Sequence, residues 1–183
     1  YVVTEIDAMT GVVLARNPYT MEFKGRVCFF ASNAPDRTVT CDRAEFLGRN
    51  GSLASPDALG RNCLSGRAGA GLDPCAALPA GLELQAEEER AILFILGAAD
   101  STEEAFSLVR RFTDPAQADA ALREVAEYWK KTLGVITVRT PDPAVNVMVN
   151  GWLLYQGMAS RYFARSGYYQ SGGAFGFRDQ LQD

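Results

Sequence analysis

At 183 residues, with 48% hydrophobic and 22% charged side chains, the chain has the composition of a globular protein with a packed core, large enough for one domain or two small ones. Its net charge is −4, and its basic residues form no block that could neutralise a run of phosphates, which argues against nucleic acid as a partner and for an uncharged ligand. The longest apolar stretches, 91–99 and 145–154, are too short or too interrupted for the roughly 20 residues that a bilayer span needs.

Residues 2–6 and 12–16 are β-rich and flank residues 7–11, a loop closing on Gly11 where a positive φ is wanted, so they predict a hairpin. Neither a basic flank nor a cleavage site precedes the first strand, and both ends read as interior to a longer polypeptide. Further strands are expected at 26–31, 38–41, 81–85 and 91–96. Short strands between turn-rich segments favour a β-sandwich over a parallel sheet for residues 1–97. Within it, residues 46–79 are irregular and rich in Gly, Ser, Ala and Pro. A loop this long is either functional or a plain cover anchored by Phe46, Leu47 and Leu72, and the residues leave both open.

The period changes at Asp100. Ser101 or Thr102 followed by Glu104 predicts an N-cap, and Ala105, Leu108, Val109 and Phe112 recur at helical spacing. A second helix is expected from Pro115 to Leu133, with Ala118, Leu122, Val125, Ala126 and Trp129 on one face and Gly134 ending it. The two polar-faced helices make residues 98–138 a helical linker whose charges are solvated surface, and 135–138 a short strand or extended connector within it. Thr140-Pro141-Asp142-Pro143 then caps a helix from 144 to about 168 that is apolar on most faces, the mark of burial in an assembly larger than 183 residues can enclose.

Cys28, Cys41, Cys63 and Cys75 have no Cys-x-x-Cys spacing and there is no histidine, so a zinc site is not expected. Cys28 lies in an apolar run, which suggests a buried free thiol and a reduced, cytoplasmic protein. Without histidine, Ser-His and Cys-His nucleophiles are excluded within the chain, and acid or base work falls to Asp, Glu, Tyr or Lys.

Chemistry concentrates in residues 170–183. Glycines let backbone approach a ligand, Phe175 and Phe177 offer faces for stacking, and Arg178 with Asp179 and Asp183 offers paired hydrogen bonds to hydroxyls. If the segment is helical, Asp179 and Asp183 project from one face. By spacing alone they are an acid/base pair, a sugar clamp with a supporting group, or a solvated helix start favoured by about 0.3–1 kcal/mol near the helix dipole.

Ser171-Gly172-Gly173 and Gly176-Phe177-Arg178-Asp179-Gln180-Leu181-Gln182-Asp183 resemble the start of the catalytic barrel in the inverting glycoside phosphorylases that act on cellobiose and chitobiose. Asp42-Arg43-Ala44-Glu45-Phe46-Leu47-Gly48-Arg49 is similar to a loop those enzymes carry on their N-terminal sandwich. Segments 46–53, 71–78 and 152–156 resemble more particularly the phosphorylase-like C-terminal region of cyclic β-1,2-glucan synthases and the 1,2-β-oligoglucan phosphorylases.

The resemblance implies an α+β multidomain architecture: the C-terminal portion of a β-sandwich (1–97), a helical linker (98–138) and the first helices of an (α/α)6 barrel (139–183). It implies inverting phosphorolysis or synthesis of β-glucosides with glucose 1-phosphate, inorganic phosphate as co-substrate and no other cofactor. It further implies that Asp179 holds hydroxyls of the donor sugar, that Arg165 is a donor-site arginine, and that Arg178, Gln182 and Asp183 support them. A second family arginine, six residues before that Asp, is replaced by Gly173. The family's general acid lies beyond Asp183, so no catalytic acid is expected in this chain and the chain alone is expected to be inactive. Implied partners are a β-glucan or gluco-oligosaccharide, the remainder of the parent polypeptide and a second subunit. The implied location is the cytoplasm, or the cytoplasmic face of the inner membrane for a membrane-bound synthase. Two other readings stay open: a non-catalytic carbohydrate-binding or scaffold segment, and an inverting hydrolase.

Overall fold

A computed structural model describes residues 1–19, 21, 24–159 and 163. The chain divides into two compact units, 1–120 and 121–183.

In the first unit, β1 (Val3–Ile6), β2 (Val13–Arg16), β3 (Val27–Ser32) and β6 (Phe94–Ala99) form an antiparallel sheet in the order β1-β2-β3-β6. The β1–β2 hairpin closes as expected: Gly11 has φ +67, and the Asp7 carboxylate accepts from the backbone N–H of Thr10 at 2.8 Å. A second sheet pairs β4 (Thr40–Asp42) with β5 (Pro74–Ala77), and α1 (Arg43–Leu47) follows β4 directly. The helix α2 (Thr102–Phe112) lies on the larger sheet. Its buried Ala105 and Val109 meet Val12, Leu14, Val27, Phe29, Ala31 and Ala99 in one cluster. The helical spacing of α2 is therefore the spacing of its contact face.

The start of α2 follows from its first residues. The Ser101 hydroxyl accepts from the Glu104 N–H at 3.1 Å, and the Glu104 carboxylate reaches back to the Asp100 N–H at 2.9 Å. This satisfies N–H groups that the helix itself leaves unpaired. Ser101→Ala is expected to cost about 1 kcal/mol, read as a drop of a few degrees in the thermal midpoint.

Three expectations are corrected. Residues 81–85 form no strand: Leu82 and Leu84 alternate with polar neighbours but are 44% and 54% exposed, and the segment runs into a turn in which Glu88 N–H donates to Gln85 O. Alternation becomes a strand only where an edge is available to pair. The last strand is 94–99 rather than 91–96, because Gly97 is a packing position and not a strand end. A Cβ there would lie 2.4 Å from the Phe29 ring. Cys28 is exposed, while Cys41 is buried, since β3 presents Val27, Phe29 and Ala31 to the core and Cys28 to the opposite face. The irregular stretch after Phe46 also holds β5 and a short 3-10 turn, Asp57–Gly60.

In the second unit, α3 (Pro115–Leu133) ends at Gly134, and an extended connector leads to α4 (Pro143–Val147), whose N-terminal N–H at Ala144 is accepted by the Asp142 side chain at 2.8 Å. The long helix expected from 144 is broken: a wide turn over Met148–Trp152 separates α4 from α5 (Leu153–Met158). Trp129 sits edge-on to Tyr155 and Phe163, with centroids 5.0 and 5.8 Å away. Val147, Trp152 and Leu153 stay at least half exposed. Among the described residues no helix is long and apolar enough to cross a membrane.

Candidate functional site

The sugar-binding candidates Arg165, Arg178, Asp179, Gln182 and Asp183 all lie outside the described residues, and so does the Ser-Gly-Gly segment before them. Among the family-like segments whose geometry is described, the loop opening at Asp42 brings charged side chains together.

Asp42 caps α1: its Oδ1 accepts from the Ala44 N–H at 3.0 Å while Oδ2 takes the Arg67 guanidinium at 2.7 Å. Three residues on, Glu45 turns inward until its side chain is 9% exposed. There it accepts from the Ser65 N–H at 2.8 Å, the Ser65 hydroxyl at 2.6 Å and the Thr40 hydroxyl at 2.5 Å, with Arg61 at 3.8 Å. Burial on its own pushes the Glu45 carboxyl up. The hydroxyls of Ser65 and Thr40, the Ser65 amide and the Arg61 charge together outweigh it and hold the group below the ordinary glutamate value. Sequence reasoning missed this role of Glu45, and the Asp-x-x-Glu spacing of a capping box would have misplaced it, since the Asp42 N–H donates to the Thr40 hydroxyl and not to Glu45.

The arrangement ties β4, α1 and the 61–67 segment into one knot. Its outer side is a shallow groove of about 420 Å³ lined by Asp42, Ala44, Glu45, Arg61, Ser65 and Arg67. Both arginines remain partly exposed at its rim, 44% for Arg61 and 60% for Arg67. They can offer N–H donors to hydroxyls or to an anion, whereas the carboxylates are already engaged as acceptors.

A general acid needs a carboxyl held above its usual value. Among the described residues, the three carboxyls whose titration the structure shifts all move down: Asp7 under hydrogen bonds from Thr10, Glu88 under those from the Gln85 amide and Arg90, and Glu45 as above. No group of three or more Cys, Asp or Glu side chains placed to hold a metal ion occurs among the described residues.

Residues 1–115 match the glycosyl hydrolase 94 supersandwich domain, and residues 128–183 match the glycosyl hydrolase 94 superfamily catalytic domain. Across its whole length the chain is 41% identical to the cyclic beta-(1,2)-glucan synthase NdvB of Rhizobium meliloti (strain 1021), covering 6% of that protein. It is 30% identical over 77% of its length to the N,N'-diacetylchitobiose phosphorylase of Vibrio furnissii, covering 18% of it. Similarity to the 3-O-beta-D-glucopyranosyl-beta-D-glucuronide phosphorylase of Paenibacillus borealis is 29% over 86% of the chain and 20% of that enzyme. The chain thus spans a fifth or less of the length of these relatives.

Proposed function

Because the chain belongs to the glycosyl hydrolase 94 family, we propose that it is the junction between sandwich and catalytic barrel in an inverting glycoside phosphorylase acting on β-glucosides, with β-1,2-glucan as the favoured substrate. The observation that carries this reading is the pair of adjacent family matches, with the Gly-Phe-Arg-Asp-x-x-Gln-Asp motif inside the second. Similarity over the whole chain to a cyclic β-(1,2)-glucan synthase supports the linkage. The first helices of an (α/α)6 barrel after residue 138, and the preceding helical linker, are part of the same proposal.

In this reaction a phosphate oxygen attacks the anomeric carbon of the terminal sugar from the face opposite the glycosidic bond. The bond to the leaving oxygen breaks, a carboxylic acid protonates that oxygen, and the products are α-glucose 1-phosphate and a glucan shorter by one unit. One carboxyl group suffices, since phosphate replaces the water that an inverting hydrolase activates with a second carboxylate. This chain contributes the donor pocket: Asp179 accepts from sugar hydroxyls, Arg165 donates to them, and Arg178, Gln182 and Asp183 support the pair. The general acid is proposed to lie outside the chain, and the chain alone is proposed to be inactive.

Gly173, standing where the disaccharide enzymes carry an arginine, favours a second reading: a non-catalytic carbohydrate-binding or scaffold region of a glucan synthase. The protein carrying this chain separates them by phosphate-dependent release of glucose 1-phosphate from β-1,2- and β-1,4-linked gluco-oligosaccharides. Release from the β-1,2 substrate is the expected result. Binding without release points to the scaffold, and free glucose independent of phosphate points to a hydrolase.

A further inference from the structure

The break in the long helix coincides with an unusual contact. Val138 N–H donates to Asn150 Oδ1 at 2.6 Å while Asn150 Nδ2 donates to Val138 O at 2.8 Å. One helical turn earlier, Thr140 N–H donates to Asn146 Oδ1 at 2.7 Å and Asn146 Nδ2 donates to Thr140 O at 2.9 Å. Each amide side chain therefore pairs with both backbone groups of a single residue, as a neighbouring strand would.

The match is geometric. In extended backbone the N–H and C=O of one residue point to the same edge, and residues two apart share that edge. Two strand residues advance about 6.6 Å, and four helical residues about 6.0 Å, so asparagines at i and i+4 meet alternate residues of an antiparallel segment. The small mismatch falls at the second rung. Asn150 leaves helical geometry (φ −78, ψ 19), Gly151 follows with φ 172, and the Leu153 N–H bonds Met148 O five residues back. Helical spacing from Asn146 thus brings Asn150 to its rung, and the backbone departs from the helix only after it.

We propose that Asn146 and Asn150 are positioning residues of the catalytic domain. As a two-rung side-chain ladder they dock the connector at Val138 and Thr140 onto α4 and the turn that follows it, at the kink from which the segment bearing Arg165 and Asp179 continues in sequence. The proposal rests on the donor-site reading of those two residues. Neither asparagine touches substrate; each acts through the path of the helix.

Asn150→Asp is the discriminating variant. A carboxylate keeps the acceptor for Val138 N–H but cannot donate to Val138 O, and protonation restores the donor. In the protein carrying this chain, residue-level amide hydrogen exchange is expected to show Val138 and Thr140 protected relative to Arg139, with Val138 keeping protection in Asn150→Asp, whose carboxylate still accepts from it, and losing it in Asn150→Leu. In Asn150→Asp the Kd for a β-1,2-gluco-oligosaccharide is expected to weaken about tenfold, the equivalent of one lost hydrogen bond, at about pH 7.5. The ratio to wild type should recover as the pH falls through the titration of the new carboxyl. Arg139 and Asp142, the charged residues of the same segment, move the pH at which the new carboxyl titrates but leave the direction of the recovery unchanged. Asn150→Leu should weaken binding without any recovery.

Equal exchange of Val138 and Arg139 in the wild type overturns the ladder. Loss of protection with unchanged Kd overturns its positioning role. A wild type that binds oligosaccharide but releases no glucose 1-phosphate overturns the phosphorylase reading and leaves the ladder to be judged on Kd, whereas one that does not bind at all overturns both.

Discussion

Asp179→Asn is expected to lower phosphate-dependent release of glucose 1-phosphate by about 100- to 1000-fold, with the thermal midpoint unchanged within a degree or two. An ionised carboxylate offers acceptors only, so it can take two or more sugar hydroxyls at once. The amide has the same shape but turns one acceptor into a donor and removes the charge. Charge-assisted hydrogen bonds contribute about 1.5–3 kcal/mol each, and those to a sugar whose ring gains positive character strengthen in the transition state. A loss of about 3–4 kcal/mol corresponds to the stated factor at 1.36 kcal/mol per decade. Initial rates with β-1,2-gluco-oligosaccharides, compared with thermal melts of both proteins, make the check. Activity within threefold of wild type would remove Asp179 from the donor site.

How far the sequence could be read depended on whether the deciding contact was local. The β1–β2 hairpin, the Ser101 cap and the limits of α3 follow from neighbours in sequence: Asp7 with Thr10, Ser101 with Glu104, Leu133 with Gly134. The failures have distant causes. Gly97 reads as a strand end, yet the Phe29 ring 68 positions earlier requires it inside β6. The 81–85 alternation has no edge to join. The helix predicted through Asn150 and Gly151 leaves helical backbone at those two residues, next to the pairing of the Asn150 amide with Val138 on the preceding connector, and periodicity carries no trace of such a pairing. At the candidate site the asymmetry runs the other way. The family motif at 176–183 and Arg165 stand out as residue types and order, and their proposed roles fall outside the described residues. Glu45 escaped attention because its importance arises only when Ser65 and Thr40 converge on it.

Glu45 carries the largest stability effect expected in the first unit. Its carboxylate gathers a backbone N–H and two hydroxyls from residues 20 and 5 positions away, and Thr40, one of the donors, is fully buried. Glu45→Ala leaves the buried Thr40 hydroxyl without this acceptor while the exposed Ser65 turns to water, and stranding a buried polar group is expected to cost about 1–3 kcal/mol. The consequence should be local first: Ser65 and the Arg61–Arg67 rim lose the tie to α1 before the α2-backed sheet is touched. The dependence on pH has a definite sign. Because the folded carboxyl titrates below the ordinary glutamate value of 4.5, its contribution is complete above that value and is lost as the pH falls through the folded pKa. Glu45→Gln keeps much of the shape but cannot titrate. Urea unfolding between about pH 7 and pH 4 should therefore show wild type more stable than Glu45→Gln at neutral pH and the difference narrowing as the solution is acidified. A difference that widens on acidification would mean that burial outweighs the hydrogen bonds and that the carboxyl is held protonated.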